Sequence, residues 1–113
     1  MTLIHTKNCE VDIVHIHGRL DANTASKLEA VVQTALDSGA RKLLLECQGM
    51  VYVSSMGLRV FMVAGKLLAS RGGRLAFAGL NPQNSQIFEM TNLSKLFPCF
   101  ADKDSALSEL ARS

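Results

Sequence analysis

The sequence has no tryptophan, one tyrosine and five phenylalanines, so aromatics amount to 5%. That is too few for the stacking platforms of single-strand nucleic-acid binders. Charge of one sign is scarce as well. Twelve basic residues stand against ten acidic ones, a net of +2, and no basic footprint for a nucleic acid follows. No apolar run reaches the length of a membrane-spanning helix. The start, Met1 to Lys7, lacks the apolar stretch of a secretory signal. No CxxC occurs, and the three cysteines, Cys9, Cys47 and Cys99, are odd in number and dispersed. Such a set fits reduced thiols in a cytoplasm, with Cys47 and Cys99 expected as small core residues. GxxxxGK[ST] and GxGxxG are both missing, so nucleotide binding has no support and no cofactor is expected.

What is present is a chain of 113 residues, 48% apolar and 19% charged. It suits one packed domain, 1–113, burying roughly 65% of its unfolded surface. Residues 1–8 read as a weak strand. Residues 11–17 are β-branched and read as a strand closed by Gly18. Residues 22–38 form a helix with Ala25, Leu28, Val32, Ala35 and Leu36 on one face, Asp21 or Thr24 as cap, and Gly39 as stop. Residues 41–47 contain three consecutive leucines, the habit of a strand covered on both faces, with Gly49 breaking the run. A helix from about 56 to 70 carries Leu58, Phe61, Met62, Gly65, Leu68 and Ala69. After the Gly72-Gly73 turn come a strand at 74–79 and a helix announced by Asn81-Pro82, carrying Ile87, Met90 and Leu93. A short strand at 96–100 and a helix capped by Asp102 or Asp104, with Leu107, Leu110 and Ala111 on one face, close the chain. The order β-β-α-β-α-β-α-β-α implies an α/β fold. Its sheet is mainly parallel with an antiparallel edge, under about four helices.

Ser54-Ser55-Met56-Gly57 lies between a strand and a helix. At least one serine is expected to cap that helix, because a hydroxyl oxygen there accepts from a free backbone N–H. A nucleophile elbow fails, since Val53 stands where GxSxG needs glycine. Every histidine lies between residues 5 and 17, so no base is at hand in sequence. His15 and His17 share a strand face, near His5 and Cys9. Their spacing matches no zinc pattern, and half-exposed histidines on an edge strand are the expected state. Met50 and Met56 flank the serine turn, as core filler or as part of a docking surface.

Three segments resemble the STAS family. They are Gly18-Arg-Leu-Asp21-Ala-Asn-Thr24-Ala-Ser-Lys-Leu28, Leu43-Leu-Leu-Glu46-Cys and Val53-Ser54-Ser55-Met56-Gly57-Leu58-Arg59-Val60. The Gly72-Gly73 turn and the Asn81-Pro82 helix extend the match over nearly the whole chain. The resemblance implies a sheet flanked by helices, no enzymatic activity, and a stand-alone anti-sigma-factor antagonist. Such proteins bind an anti-sigma factor that is also a serine kinase. It phosphorylates one serine at the start of the second helix, and a PP2C-type phosphatase reverses this. By motif position that serine is Ser55, with Ser54 as the alternative. Asp21, Thr24, Ser54, Met56, Gly57 and Arg59 are then the expected partner-contacting residues. The chain departs from the common pattern at Ser54, where Asp is frequent, at Met56, where Ser is frequent, and at Glu46, where Asp is frequent. The same resemblance allows a transporter accessory subunit that docks on an ATPase without phosphoregulation. A cytoplasmic protein, monomeric or weakly dimeric, without metal or nucleic acid, is expected in either case.

Overall fold

The computed structural model describes residues 1–112; Ser113, the end of the expected 1–113 domain, lies outside them. The elements are β1 (Thr2–Asn8), β2 (Val11–Leu20), α1 (Ala25–Asp37), β3 (Lys42–Val53), α2 (Ser55–Ser70), β4 (Arg74–Ala78), α3 (Pro82–Met90), α4 (Leu93–Leu96), β5 (Cys99–Phe100) and α5 (Lys103–Arg112). The strands form one sheet in the order β1-β2-β3-β4-β5. β1 pairs antiparallel with β2, and all other pairs are parallel. The α/β class, the parallel sheet and its antiparallel edge follow the expectation from the alternating pattern.

The three leucines show how the layers arise. Leu43 and Leu45 join the core under α1 and α2, while Leu44 joins a smaller core under α5. A period-2 strand with both faces covered must be apolar at successive positions. The larger core also takes Phe88 of α3 and Leu93 of α4. It is keyed by phenylalanines: Phe77 meets Phe61 and Phe88 edge-on, with centroids 4.9 Å apart in each pair. All five residues expected on the α1 face are buried.

Several expectations need correction. Gly18 and Gly49 do not end their strands; β2 continues to Leu20 and β3 to Val53. Gly18 takes φ +103 inside β2, a conformation an L side chain strongly disfavours, so here glycine permits an irregularity in the strand. Cys47 is buried, but Cys99 is exposed, because β5 is only a two-residue edge strand. α4 was not anticipated; Leu93 belongs to it, and Met90 is 76% exposed. On α2, Val60 and Ala64 are buried while Ala69 is exposed. On α5, Ala106 and Leu110 are buried while Ala111 is exposed. The histidine strand β2 is not an edge, since β1 covers it.

Candidate functional site at the start of the second helix

Parallel strands deliver their C-terminal ends to one side of the sheet. There β2 leads to Asp21 and α1, and β3 leads to the serines and α2. Two register shifts, between His15 and His17 and between Gly18 and Arg19, let β3 run ahead of β2. The second shift skips Val51, which is 60% exposed, and turns Tyr52 outward at 39%. The Arg19 guanidinium lies over the Tyr52 ring, 4.5 Å from its centroid. An irregular strand pair re-aims side chains in this way.

The serine turn is closed by backbone. The Ser54 N–H donates to the Leu20 carbonyl at 2.8 Å, and the Ser54 carbonyl accepts from the Leu58 N–H at 3.0 Å. Ser54 is the N-cap in extended conformation, and its Oγ accepts from the Gly57 N–H at 3.4 Å. Ser55 is the first helical residue and is exposed. No acidic residue occupies the first turn of α2. The positive end of this helix is therefore not neutralised by a side chain of its own first turn.

Gly57, one of the residues expected at the partner contact, is buried in this chain. A Cβ there would come within 2.8 Å of Leu20 and 2.9 Å of Val53. Its part is to let α2 settle onto the strand ends. Met50 is also core, at 1% exposure, whereas Met56 is exposed. Met56 and Arg59 line a groove of about 290 Å³ between α1 and α2, with Ala25, Ser26, Glu29 and Val63. Arg59 is exposed and makes no ion pair among the described residues.

Asp21 and Thr24 brace the neighbouring turn. Asp21 Oδ1 accepts from the N–H groups of Asn23 at 3.0 Å and Thr24 at 3.1 Å. Thr24 Oγ1 donates to the Arg19 carbonyl at 2.8 Å and accepts from the Asp21 N–H at 2.9 Å. Thr24 holds the N-cap position of α1 without a side-chain cap bond, while the Asp21 side chain caps the turn at 22–24 that leads into the helix. Desolvation raises the Asp21 carboxyl, but the bonds from Thr24 and Asn23 and the charge of Arg19 outweigh it, leaving its pKa below the ordinary value.

The other sequence candidates do not converge. His5 pairs with Asp12 at 2.9 Å and lies opposite Val14, whereas His15 lies opposite Ile4. Adjacent positions of a strand face opposite sides, so His5 and His15 are on different faces of the sheet. His15 faces Glu46 at 4.0 Å. Among the described residues no group of three or more His, Cys, Asp or Glu could hold a metal. A slightly larger cavity, about 320 Å³, opens beside Cys9 and Leu107 and contains none of the expected site residues. Burial, with the charge of Glu46 adding to it, pushes the Cys47 thiol far above its ordinary range.

Sequence reasoning missed Arg19, Tyr52 and Asn84. Tyr52 had one available signal, being the only tyrosine and two residues before the serines. Asn84 had none.

The STAS domain description matches residues 3–106. The chain belongs to the STAS domain family. This STAS domain is 27% identical over 99 residues to the anti-sigma F factor antagonist of Paenibacillus polymyxa, covering 87% of this chain and 85% of the relative. It is 29% identical over 83 residues to the anti-sigma-B factor antagonist of Staphylococcus aureus, covering 74% and 77%. Among solved structures, an anti-sigma factor antagonist from Mycobacterium paratuberculosis shares the fold. Its TM-score is 0.90 at 22% identity, over 97% of this chain and 93% of the other.

Proposed function

We propose that this STAS domain is an anti-sigma-factor antagonist, a non-enzymatic cytoplasmic protein. It binds an anti-sigma factor that is also a serine kinase, and phosphorylation of Ser55 releases it. A PP2C-type phosphatase resets the switch. The names of the Paenibacillus and Staphylococcus relatives support the binding role. No helix of the described residues is long and apolar enough to cross a membrane.

One observation carries the switch: the two serines divide the work. Ser54 spends its oxygen on the Gly57 N–H, while Ser55 stands exposed one residue on. A phosphoryl group there adds about −1.5 to −2 charges and three acceptor oxygens. The helix N-terminus favours an anion by about 0.3–1 kcal/mol at an exposed site, so the fold survives. Arg59, four residues on, can lean back toward the phosphate. A partner packed over Met56 and the groove meets a charge it has no counter-ion for. Burying such a charge costs several kcal/mol, and each 1.4 kcal/mol is about tenfold in affinity. Binding is expected to weaken by about 100-fold or more.

The test is intact-mass and phosphosite mapping of the protein from its own cells, with Ser55→Ala and Ser55→Asp beside it. The expected result is a gain of about 80 Da that maps to Ser55 and disappears in Ser55→Ala, with Ser55→Asp failing to bind the anti-sigma factor. A phosphoryl group on Ser54 moves the switch by one residue. The absence of a phosphoryl group from both serines under every growth condition leaves a passive adaptor.

A further inference from the structure

β3 outlives its neighbour. Its pairing with β4 stops at Glu46–Ala78, yet the strand runs on to Val53 and hands over to Ser54. Past Glu46 no strand among the described residues flanks it on the β4 side. Met50, midway along this overhang, is 1% exposed, and its carbonyl accepts from the Asn84 side-chain N–H at 3.3 Å. A carbonyl can only accept, so the amide nitrogen of Asn84 must be the donor. Asn84 is itself 1% exposed, one of two buried polar or charged residues among the described ones. The other, Asp12, serves β1 through His5.

Asn84 is held firmly. It is the third residue of α3, and its backbone N–H donates to Asn81 Oδ1 at 2.7 Å. Pro82 restricts the same turn. A capped and proline-started helix thus extends one buried amide to the strand that carries the serine turn. An apolar side chain would fill this space but take away the side-chain partner of the Met50 carbonyl. The amide instead specifies where the overhang lies, since a hydrogen bond has a direction and apolar packing does not.

We infer that Asn84 is a positioning residue for the Ser54–Ser55 turn, taking the place of the missing β4 neighbour by holding the Met50 carbonyl. Its effect reaches the turn through the four residues from Met50 to Val53, then through the Ser54–Leu20 backbone bond and the Ser54 cap on Gly57. The inference deepens the reading of Ser55 as the phosphorylated residue and rests on it for its functional meaning.

The test compares three variants of the full chain by ¹H–¹⁵N spectra and amide exchange. Asn84→Val removes the donor and keeps an apolar filling. Asn84→Asp keeps the shape and, when ionised, also lacks the donor. Phe88→Leu loosens α3 but leaves Asn84 in place. In Asn84→Val, and in Asn84→Asp at a pH where its carboxyl is ionised, the amides of Ser54, Gly57 and Leu58 should shift and exchange roughly fivefold faster, as loss of one hydrogen bond implies. Amides of the β1–β2 hairpin should stay within about twofold. Phe88→Leu should leave the turn amides at their wild-type shifts. Equal changes at the turn in Phe88→Leu and Asn84→Val, or no selective change in the Asn84 variants, would overturn the assignment. If Asn84→Asp does not fold, Asn84→Val and Phe88→Leu decide it. Phosphoryl uptake from ATP with the kinase partner, slowed in Asn84→Val, supplies the functional arm. A wild-type protein that takes up no phosphate sinks the Ser55 reading, while the spectra still decide the role of Asn84.

Discussion

Two helices of this molecule begin in nearly the same way and are built for different ends. α2 starts at Ser54 and α3 at Asn81, each with an extended N-cap whose side chain accepts from the N–H three residues on. The α3 cap is 2.7 Å long, followed by Pro82 and then by the buried Asn84. The α2 cap is 3.4 Å long and is followed by exposed Ser55 and Met56. The first start turns its third residue, Asn84, onto the Met50 carbonyl. The second has Gly57 at the matching position, packed against Leu20 and Val53. Neither cap chemistry nor the exposure of the next two residues distinguishes the two starts; the third residue does, since Asn84 reaches the Met50 carbonyl and Gly57 has no side chain to reach with.

Four measurements sharpen or break this contrast. Gly57→Ala has the largest expected effect. The added methyl meets Leu20 and Val53 below 3.0 Å, and overpacking of this kind costs about 1–3 kcal/mol. Denaturant titration should show a lower midpoint with an unchanged slope. Next, Asn81→Ala should cost about 1–2 kcal/mol and Ser54→Ala about 0.5 kcal/mol, at opposite ends of the range for lost caps. Equal losses in the two would mean that the starts are alike after all.

The third measurement follows pH. The folded-state pKa of Asp21 is lowered, so its contribution is present above the ordinary carboxylate range and is lost as pH falls through the depressed value. Wild type should therefore exceed Asp21→Ala in stability at neutral pH, and the gap should close in acid. A gap that is constant with pH would show that the carboxylate charge does no bracing. The smallest effect is expected from Arg59→Ala. It should lower the melting temperature of the Ser55-phosphorylated form more than that of the unmodified form, by the equivalent of about 0.3–1 kcal/mol. Matched shifts would remove Arg59 from the phosphate.

Much of the fold was legible because its signals are local. The leucine triplet, the apolar face of α1 and the Asn81-Pro82 start each depend on residues adjacent in sequence. The expected ends of β2 and β3 were wrong for the opposite reason. Gly18 and Gly49 look like stops, but each sits in a strand whose neighbour keeps it extended, and pairing is a property of two segments. Met90 and Ala111 fit the helical period yet face outward, because no layer covers that side of their helices. For the site, the serine pair and Asp21 could be read from motif order. The burial of Gly57, the exposure of Tyr52 under Arg19 and the reach of Asn84 could not.

The alternating apolar pattern by itself determined the α/β class, the parallel sheet and the place of a hydroxyl at the start of the second helix, since period and cap chemistry act over a few residues. Only the tertiary structure decided which serine is spent on capping, which glycine is a spacer and which methionine is exposed. Those outcomes depend on what a distant segment places against each residue, and no local pattern encodes that contact.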